Sequence, residues 1–337
     1  MADADALRPV ICFGEILLRL AAPGRERLFQ SGRLDASFGG AEANVAAALA
    51  GFGSASALVT DLPDTPVGRA AAAAMRSFGV GEGDVRFGPG RMGVYFLEQG
   101  AGLRPSELAY DREGSTFALA APGRDWPSLV AGASRLHVSG VTLALGDGPA
   151  GALEAAVSAA RSLRVPVSFD GNFRPSLWRG REAEAPARLR SVLSCADLAF
   201  VDHRDLELAL RIGPSDAPLD LRRRRAVEAA FAAFPELGRI AFTIRGAEDL
   251  GARLWTREAA FEAGPLSLRG AIDRIGAGDA FAAGLVHGLV RGWPEPDALT
   301  FALAAGALKH FVTGDVLVAT EAEVKRIAGG DVGGIRR

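Results

Sequence analysis

The chain is poor in the residues that build disulfides and metal centres. Its 337 residues contain two cysteines, Cys12 and Cys195, and four histidines. Both cysteines lie in apolar, strand-like contexts (VICFG and LSCADLAF). That pattern reads as reduced core thiols in an intracellular, cytoplasmic protein. No Cys/His cluster has ligand spacing and HExxH is missing, which argues against a thiolate or histidine metal site and against a catalytic cysteine. A basic excess is missing too: the net charge is −2 and the pI near 6.2. Nucleic acid is therefore a poor candidate partner, because nothing is in surplus to neutralise a phosphate backbone. The start, MADADALRPV, lacks the positive region and apolar core of a signal peptide. The longest uncharged stretch, Ala43 to Thr60, holds Asn44, Ser54 and Ser56 and is interrupted by Gly51-Phe52-Gly53. It reads as helix, turn and strand, so no membrane partner is expected. GxxxxGK[ST] is absent and no GxGxxG follows the first strand, which disfavours a Walker-type nucleotide site and a dinucleotide-dependent oxidoreductase.

What is present is an ordinary globular composition, 49% apolar and 23% charged, large enough for one big α/β domain or two smaller ones. A strand at Val10 to Phe13, a helix at Ala43 to Ala50, a strand at Ala57 to Val59 and a helix at Val67 to Phe78 alternate. This rhythm predicts a parallel sheet covered by helices. Residues 85–120 break it. Gly93 to Glu98 and Glu107 to Arg112 predict an antiparallel hairpin. With part of 15–38 it forms an appended small sheet, a lid drawn from about 15–38 and 88–119 within a single domain spanning 1–337. The alternation resumes with strands at Arg135 to Val138, Pro166 to Asp170, Leu198 to Val201 and Arg239 to Ile244. Helices are expected between them and after Gly276.

Four clusters carry the chemistry. Ile272 to Phe281 (IDRIGAGDAF) reads as a glycine turn opening a helix. Helix N-termini present unpaired N–H groups and attract anions. Gly276 and Gly278 admit a close ligand, and Asp279 at the helix mouth is placed to take a proton from an attacking hydroxyl. Phosphoryl transfer to an alcohol suits that set, although an Asp-capped helix start explains the same residues. Phe38 to Val45 (FGGAEANV) offers paired glycines, Gly39 and Gly40, and Asn44 for sugar hydroxyls. Asp170 to Pro175 (DGNFRP) follows a strand and brings Arg174, whose fork fits a carboxylate or phosphate. Tyr95, Tyr110 and Arg112 sit on the expected lid. In Asp202-His203-Arg204-Asp205, acidic groups suit either a hydrated Mg²⁺ or a helix cap.

Taken together, GGAEANVA at 39–46, DRIGAGD at 273–279 and their separation resemble the ribokinase-like, PfkB family of carbohydrate kinases. Within it, the chain is most similar to the 2-keto-3-deoxygluconate kinases, through Tyr95, the segment Tyr110 to Ser115, DGNFRPSLW at 170–178 and ALKHFVTGD at 307–315. The resemblance implies a doubly wound α/β fold with a small β-sheet lid used in homodimer contacts. It also implies transfer of the ATP γ-phosphoryl group to a sugar acid with Mg²⁺. By position, Asp279 would be the general base, and the N–H groups of Gly276, Ala277 and Gly278 the anion hole. Gly39, Gly40, Asn44, Tyr95, Tyr110, Arg112 and Arg174 would hold the sugar acid. Asn172, Thr243, Arg245, Gly246, Gly278 and Lys309 are expected at the nucleotide, and Asp205 at the metal through water. Two departures stand out. Arg274 follows the first Asp of the glycine turn, and the family's N-x-x-E appears as Asp202-His203-Arg204-Asp205. Other sugars (the galactonate epimer, fructose, ribose) and a non-catalytic sugar-acid sensor remain as rival readings.

Overall fold

The computed structural model describes residues 8–120, 123–213 and 215–331. Its core is a nine-stranded sheet in the order β13-β12-β11-β10-β9-β8-β1-β4-β5. The strands are β1 (Val10–Phe13), β4 (Ser56–Pro63), β5 (Gly81–Gly88), β8 (Arg135–Ser139), β9 (Val167–Asp170), β10 (Leu198–Phe200), β11 (Arg239–Arg245), β12 (Asp249–Thr256) and β13 (Ala260–Ser267). From β11 through β5 all neighbours run parallel, while β12 and β13 form an antiparallel margin.

The middle strand β1 is an uninterrupted apolar run, VICF, with every residue buried. Such runs belong in a sheet covered on both faces. One face carries the helices Ala41–Gly51, Pro66–Ser77, Ala277–Val290, Glu295–Lys309 and Glu321–Ala328. The other carries helices between Trp126 and Ala233. Alternate residues of β1 divide between the two cores, Val10 and Cys12 on one side, Ile11 and Phe13 on the other.

Chain order reverses around β1. From it the sheet grows one way through β4 and β5, and the other way through β8 to β11. Ligands of open α/β sheets sit outside the strand carboxyl ends at such a switch point.

A second sheet of four strands, order β3-β2-β6-β7, stands apart from the first: β2 (Leu17–Ala21), β3 (Asp35–Gly39), β6 (Gly93–Glu98) and β7 (Glu107–Asp111). The hairpin expected over 93–112 is present, with Tyr95 opposite Tyr110. The 15–38 region proves more ordered than its sequence suggested, supplying both β2 and β3. Several short elements were not foreseen, among them the helices Trp126–Val130 and Gly140–Ala144, an edge strand and a last helix. The edge strand β5 is glycine-rich and mostly polar (GEGDVRFG), so its pattern carries little apolar alternation. The helix Glu321–Ala328 is short, with one buried residue, Val324. Among the described residues, no helix is long and apolar enough to cross a membrane.

Candidate active site

The helix Ala277–Val290 enters through Gly276, whose φ is 80°. A side chain there is excluded twice. The conformation is left-handed, and a Cβ would fall 1.9 Å from the main-chain oxygen of Asp315. Gly278 differs: the space where its Cβ would sit is open. The N–H of Ala277 makes one long bond, 3.3 Å, to the carbonyl of Arg274. The helix itself is buried from Ala280 to Gly288, packed between Ala41–Gly51 and Glu295–Lys309. Its mouth is therefore fixed by the core.

Asp279 lies in the first turn of this helix. Its Oδ2 accepts a hydrogen bond from Asn44 Nδ2 at 2.6 Å, and Asn44 Oδ1 accepts the Gly40 N–H at 3.2 Å. Two motifs far apart in sequence thus meet at one carboxylate. Burial pushes the Asp279 carboxyl up to about 7; the Asn44 bond opposes this, Asp315 and Glu42 add to it, and Arg174 offsets it. A carboxyl poised near neutrality can take a proton at working pH.

Asp170, at the end of β9, accepts the N–H of Asn172 at 2.9 Å, and Asn172 itself adopts φ 37°. Burial and the charge of Asp279 push the Asp170 carboxyl up to about 8, with Arg174 pulling it down and Asp205 adding to the rise. Arg174 is exposed, and its charge reaches both Asp170 and Asp279. Asp205 plays the cap that its position allowed: its Oδ2 accepts the Asp202 N–H at 3.0 Å. Burial also raises the Asp205 carboxyl. Asp202 is held by His203 and Arg223.

The small-sheet residues divide. Tyr95 is buried, and its hydroxyl donates to Asp315 at 2.6 and 2.7 Å. Tyr110 is 51% exposed and lies with its ring 5.5 Å from that of Tyr95. Arg112 already has a partner, because its Nε and Nη2 both engage Glu15 Oε2. Gly39 backs onto Asp315, whose carboxylate occupies the place of a Cβ. On β11, Thr243 is partly buried, while Arg245 and Gly246 are exposed. Partial burial and the Arg274 charge hold Arg245 below its ordinary range.

Lys309, expected at the nucleotide, is held from within the protein. Its side chain is fully buried, and Nζ donates to the carbonyls of Val312 at 2.8 Å and Asp273 at 3.4 Å.

Sequence reading missed Glu42 and Arg19. Glu42 Oε1 accepts from the Ser139 N–H, Ser139 Oγ and Thr142 Oγ1, and its carboxylate fills the space beside Gly14. Arg19 carried a readable signal: in LLRLA it shares the inward register of Leu17 and Ala21.

Known proteins share this fold. Residues 8–321 match the profile described as pfkB family carbohydrate kinase. The chain belongs to the pfkB family of carbohydrate kinases. It is a sugar kinase, a phosphotransferase with an alcohol acceptor, on a ribokinase-like fold. A 2-dehydro-3-deoxygalactonokinase of Haloferax volcanii is 32% identical over 96% of this chain and 98% of its own length. A 2-dehydro-3-deoxygluconokinase of Thermoproteus tenax is 29% identical over 93% and 91%. The crystal structure of 2-dehydro-3-deoxygluconokinase from Thermotoga maritima superposes with a TM-score of 0.90 and 34% identity, covering 96% of this chain and 99% of that one.

Proposed function

We propose that this family member is an ATP-dependent kinase for a 2-keto-3-deoxy sugar acid, 2-keto-3-deoxygluconate first, phosphorylated at its terminal hydroxyl. The observation that carries the reading is the meeting of Asp279 and Asn44, 2.6 Å apart at one glycine-led helix mouth, within reach of the Arg174 charge. Relatives named for both the gluconate and galactonate forms of the acid support the substrate class.

In the proposed step the sugar hydroxyl oxygen attacks the γ-phosphorus. The bond to the β–γ bridging oxygen breaks, ADP leaves with that electron pair, and Asp279 takes the hydroxyl proton. Asn44 orients Asp279 through its 2.6 Å bond. The N–H groups of Gly276, Ala277 and Gly278 face the phosphoryl oxygens from the positive end of the helix. Arg174 and the guanidinium face of Arg112 not spent on Glu15 answer the sugar-acid carboxylate, with Gly39, Gly40 and Tyr110 along the sugar. Thr243, Arg245, Gly246 and Asn172, at the strand ends, line the nucleotide side.

The donor set fits Mg²⁺. Burial holds the Asp170 and Asp205 carboxyls high, with the Asp205 charge adding to the rise at Asp170 and the Asp202 charge to that at Asp205, and Mg²⁺ prefers one or two carboxylates plus water and phosphate oxygens. Bound there, the ion would neutralise charge on the transferring phosphate. Among the described residues no cluster of three or more ligating side chains exists. The small sheet serves as a lid that excludes water. Its β7 edge is exposed at every residue and is the surface for a homodimer.

The test is ADP release with Mg-ATP across 2-keto-3-deoxygluconate, its galactonate epimer, fructose, ribose and gluconate. Turnover confined to the 2-keto-3-deoxy acids is expected. Strong turnover on fructose or ribose would remove the carboxylate argument. Arg174→Ala should raise KM for the acid far more than for ATP.

A further inference from the structure

Arg19 stands on β2 of the small sheet, yet its partners belong to the main domain. It is 1% exposed. Its Nη2 donates to Asp273 Oδ2 at 2.6 Å and its Nη1 to Asp315 Oδ1 at 2.8 Å. Asp273 opens the glycine turn. Its Oδ1 also takes the Ile275 N–H at 3.0 Å, and its Oδ2 takes the Gly314 N–H at 3.0 Å. Asp315 presses against Gly276 with its main-chain oxygen and receives the hydroxyl of Tyr95, again from the small sheet. Ile275, inside the turn, packs on the small sheet's apolar core of Leu17, Ala21, Tyr95 and Leu97.

The small sheet therefore touches the turn by charge, by hydrogen bond and by apolar contact. With Arg19 in place, the cations Arg19 and Lys309 balance the anions Asp273 and Asp315. Without Arg19, two buried carboxylates flank the turn where a polyanion must arrive, and the charge of Asp315 already reaches Asp279. Repulsion of that kind acts strongly in a buried, weakly screened setting.

We propose that Arg19 is a positioning residue that couples the seating of the small sheet to the anion-binding turn. The turn is thereby electrostatically complete only when the sheet covers the crevice. This rests on the kinase reading above and concerns how that same site is assembled. It gives the enzyme a way to withhold phosphoryl transfer to water: an uncovered site is also one whose turn repels the nucleotide.

The experiment compares Arg19→Met and Arg19→Lys with the parent protein, measuring ADP and sugar phosphate in parallel under saturating 2-keto-3-deoxy acid and Mg-ATP. Arg19→Met should lose on the order of 10²-fold in kcat for the sugar, the scale of mispositioned reacting groups. It should also release more ADP than sugar phosphate. In the excess reaction a water oxygen attacks the γ-phosphorus, the bridging P–O bond breaks toward ADP, and phosphate forms as Asp279 takes the proton. Arg19→Lys should recover part of kcat and most of the one-to-one ratio.

A folding defect alone would lower both products together, leave the ratio at one and give Arg19→Lys no advantage; that result overturns the proposal. Arg19→Met combined with Asp315→Asn removes one charge of each sign. A one-to-one ratio restored in a stably folded double variant supports the electrostatic coupling, whereas excess ADP release persisting there counts against charge as its cause. Hydrogen exchange of the 275–279 amides in unliganded protein provides an arm independent of substrate. Faster exchange there in Arg19→Met is expected, and unchanged exchange counts against the proposal even if every sugar tested proves wrong.

Discussion

Asp273 and Asp279 share one turn and the start of one helix, and the fold treats them as opposites. Asp273 is saturated: Arg19, the Ile275 N–H and the Gly314 N–H occupy its oxygens, and the whole group is buried. Asp279 receives one side-chain hydrogen bond, from Asn44, and its carboxyl is held near 7. A carboxylate surrounded by donors supports structure, because its charge is satisfied before any ligand arrives. A carboxylate buried with few donors keeps affinity for a proton, which is the property a general base needs.

The contrast is sharpest in removal. Asp279→Asn should cost roughly 10²–10⁴-fold in kcat, the range of general-base catalysis, with the melting temperature preserved or raised. The sign follows from the raised folded-state carboxyl. Below its unfolded value near 4 the native state carries no penalty. As pH rises from there toward about 7, the unfolded chain releases the proton that the buried group retains, and the fold progressively loses stability. The neutral amide escapes that loss, so the variant's advantage should grow between pH 4 and 8. Turnover within a few-fold of the parent would end the assignment of Asp279 as base.

Asp273→Ala should act on stability instead. It strands Arg19 as a buried charge with half its partners, a change worth about 3–5 kcal/mol. Denaturant unfolding would read this. A loss below about 1 kcal/mol would mean that Asp315 and water suffice for Arg19, and the two aspartates would no longer differ in kind.

The smallest effect sharpens the comparison most. Asn44→Ala removes the bond that holds Asp279 down. The acidic limb of the kcat/KM profile should move to higher pH by a fraction of a unit to about one unit, since a lost hydrogen bond to a charged group is worth about 1.5–3 kcal/mol before solvent compensates. A limb moving to lower pH would show that Asn44 does not favour the ionised form.

Much of the fold was legible because its signals are local. Apolar runs such as Val10–Phe13 and alanine-rich helices such as Ala41–Gly51 announce buried parallel strands and covering helices. The hairpin at 93–111 showed through its alternation. The glycine-rich edge β5 did not, because an edge strand with little to bury needs no apolar pattern. The site was legible where backbone geometry demands a residue type, as at Gly276, and where a motif sits at a strand end, as in 170–175. The bonds that Lys309 makes to the carbonyls of Val312 and Asp273 were not legible, because a lysine near a conspicuous turn looks the same in sequence whatever it faces.

The sequence by itself determined the alternating α/β order, the glycine turn with its Asp279, and the resemblance to sugar kinases. Each depends on residue type at short spacing. Only the tertiary structure decided that Asn44 meets Asp279, that Arg112 is engaged by Glu15, and that Arg19 reaches out of the small sheet to Asp273 and Asp315. Those pairings join residues far apart in the chain, and their strength comes from burial, a property that packing alone creates.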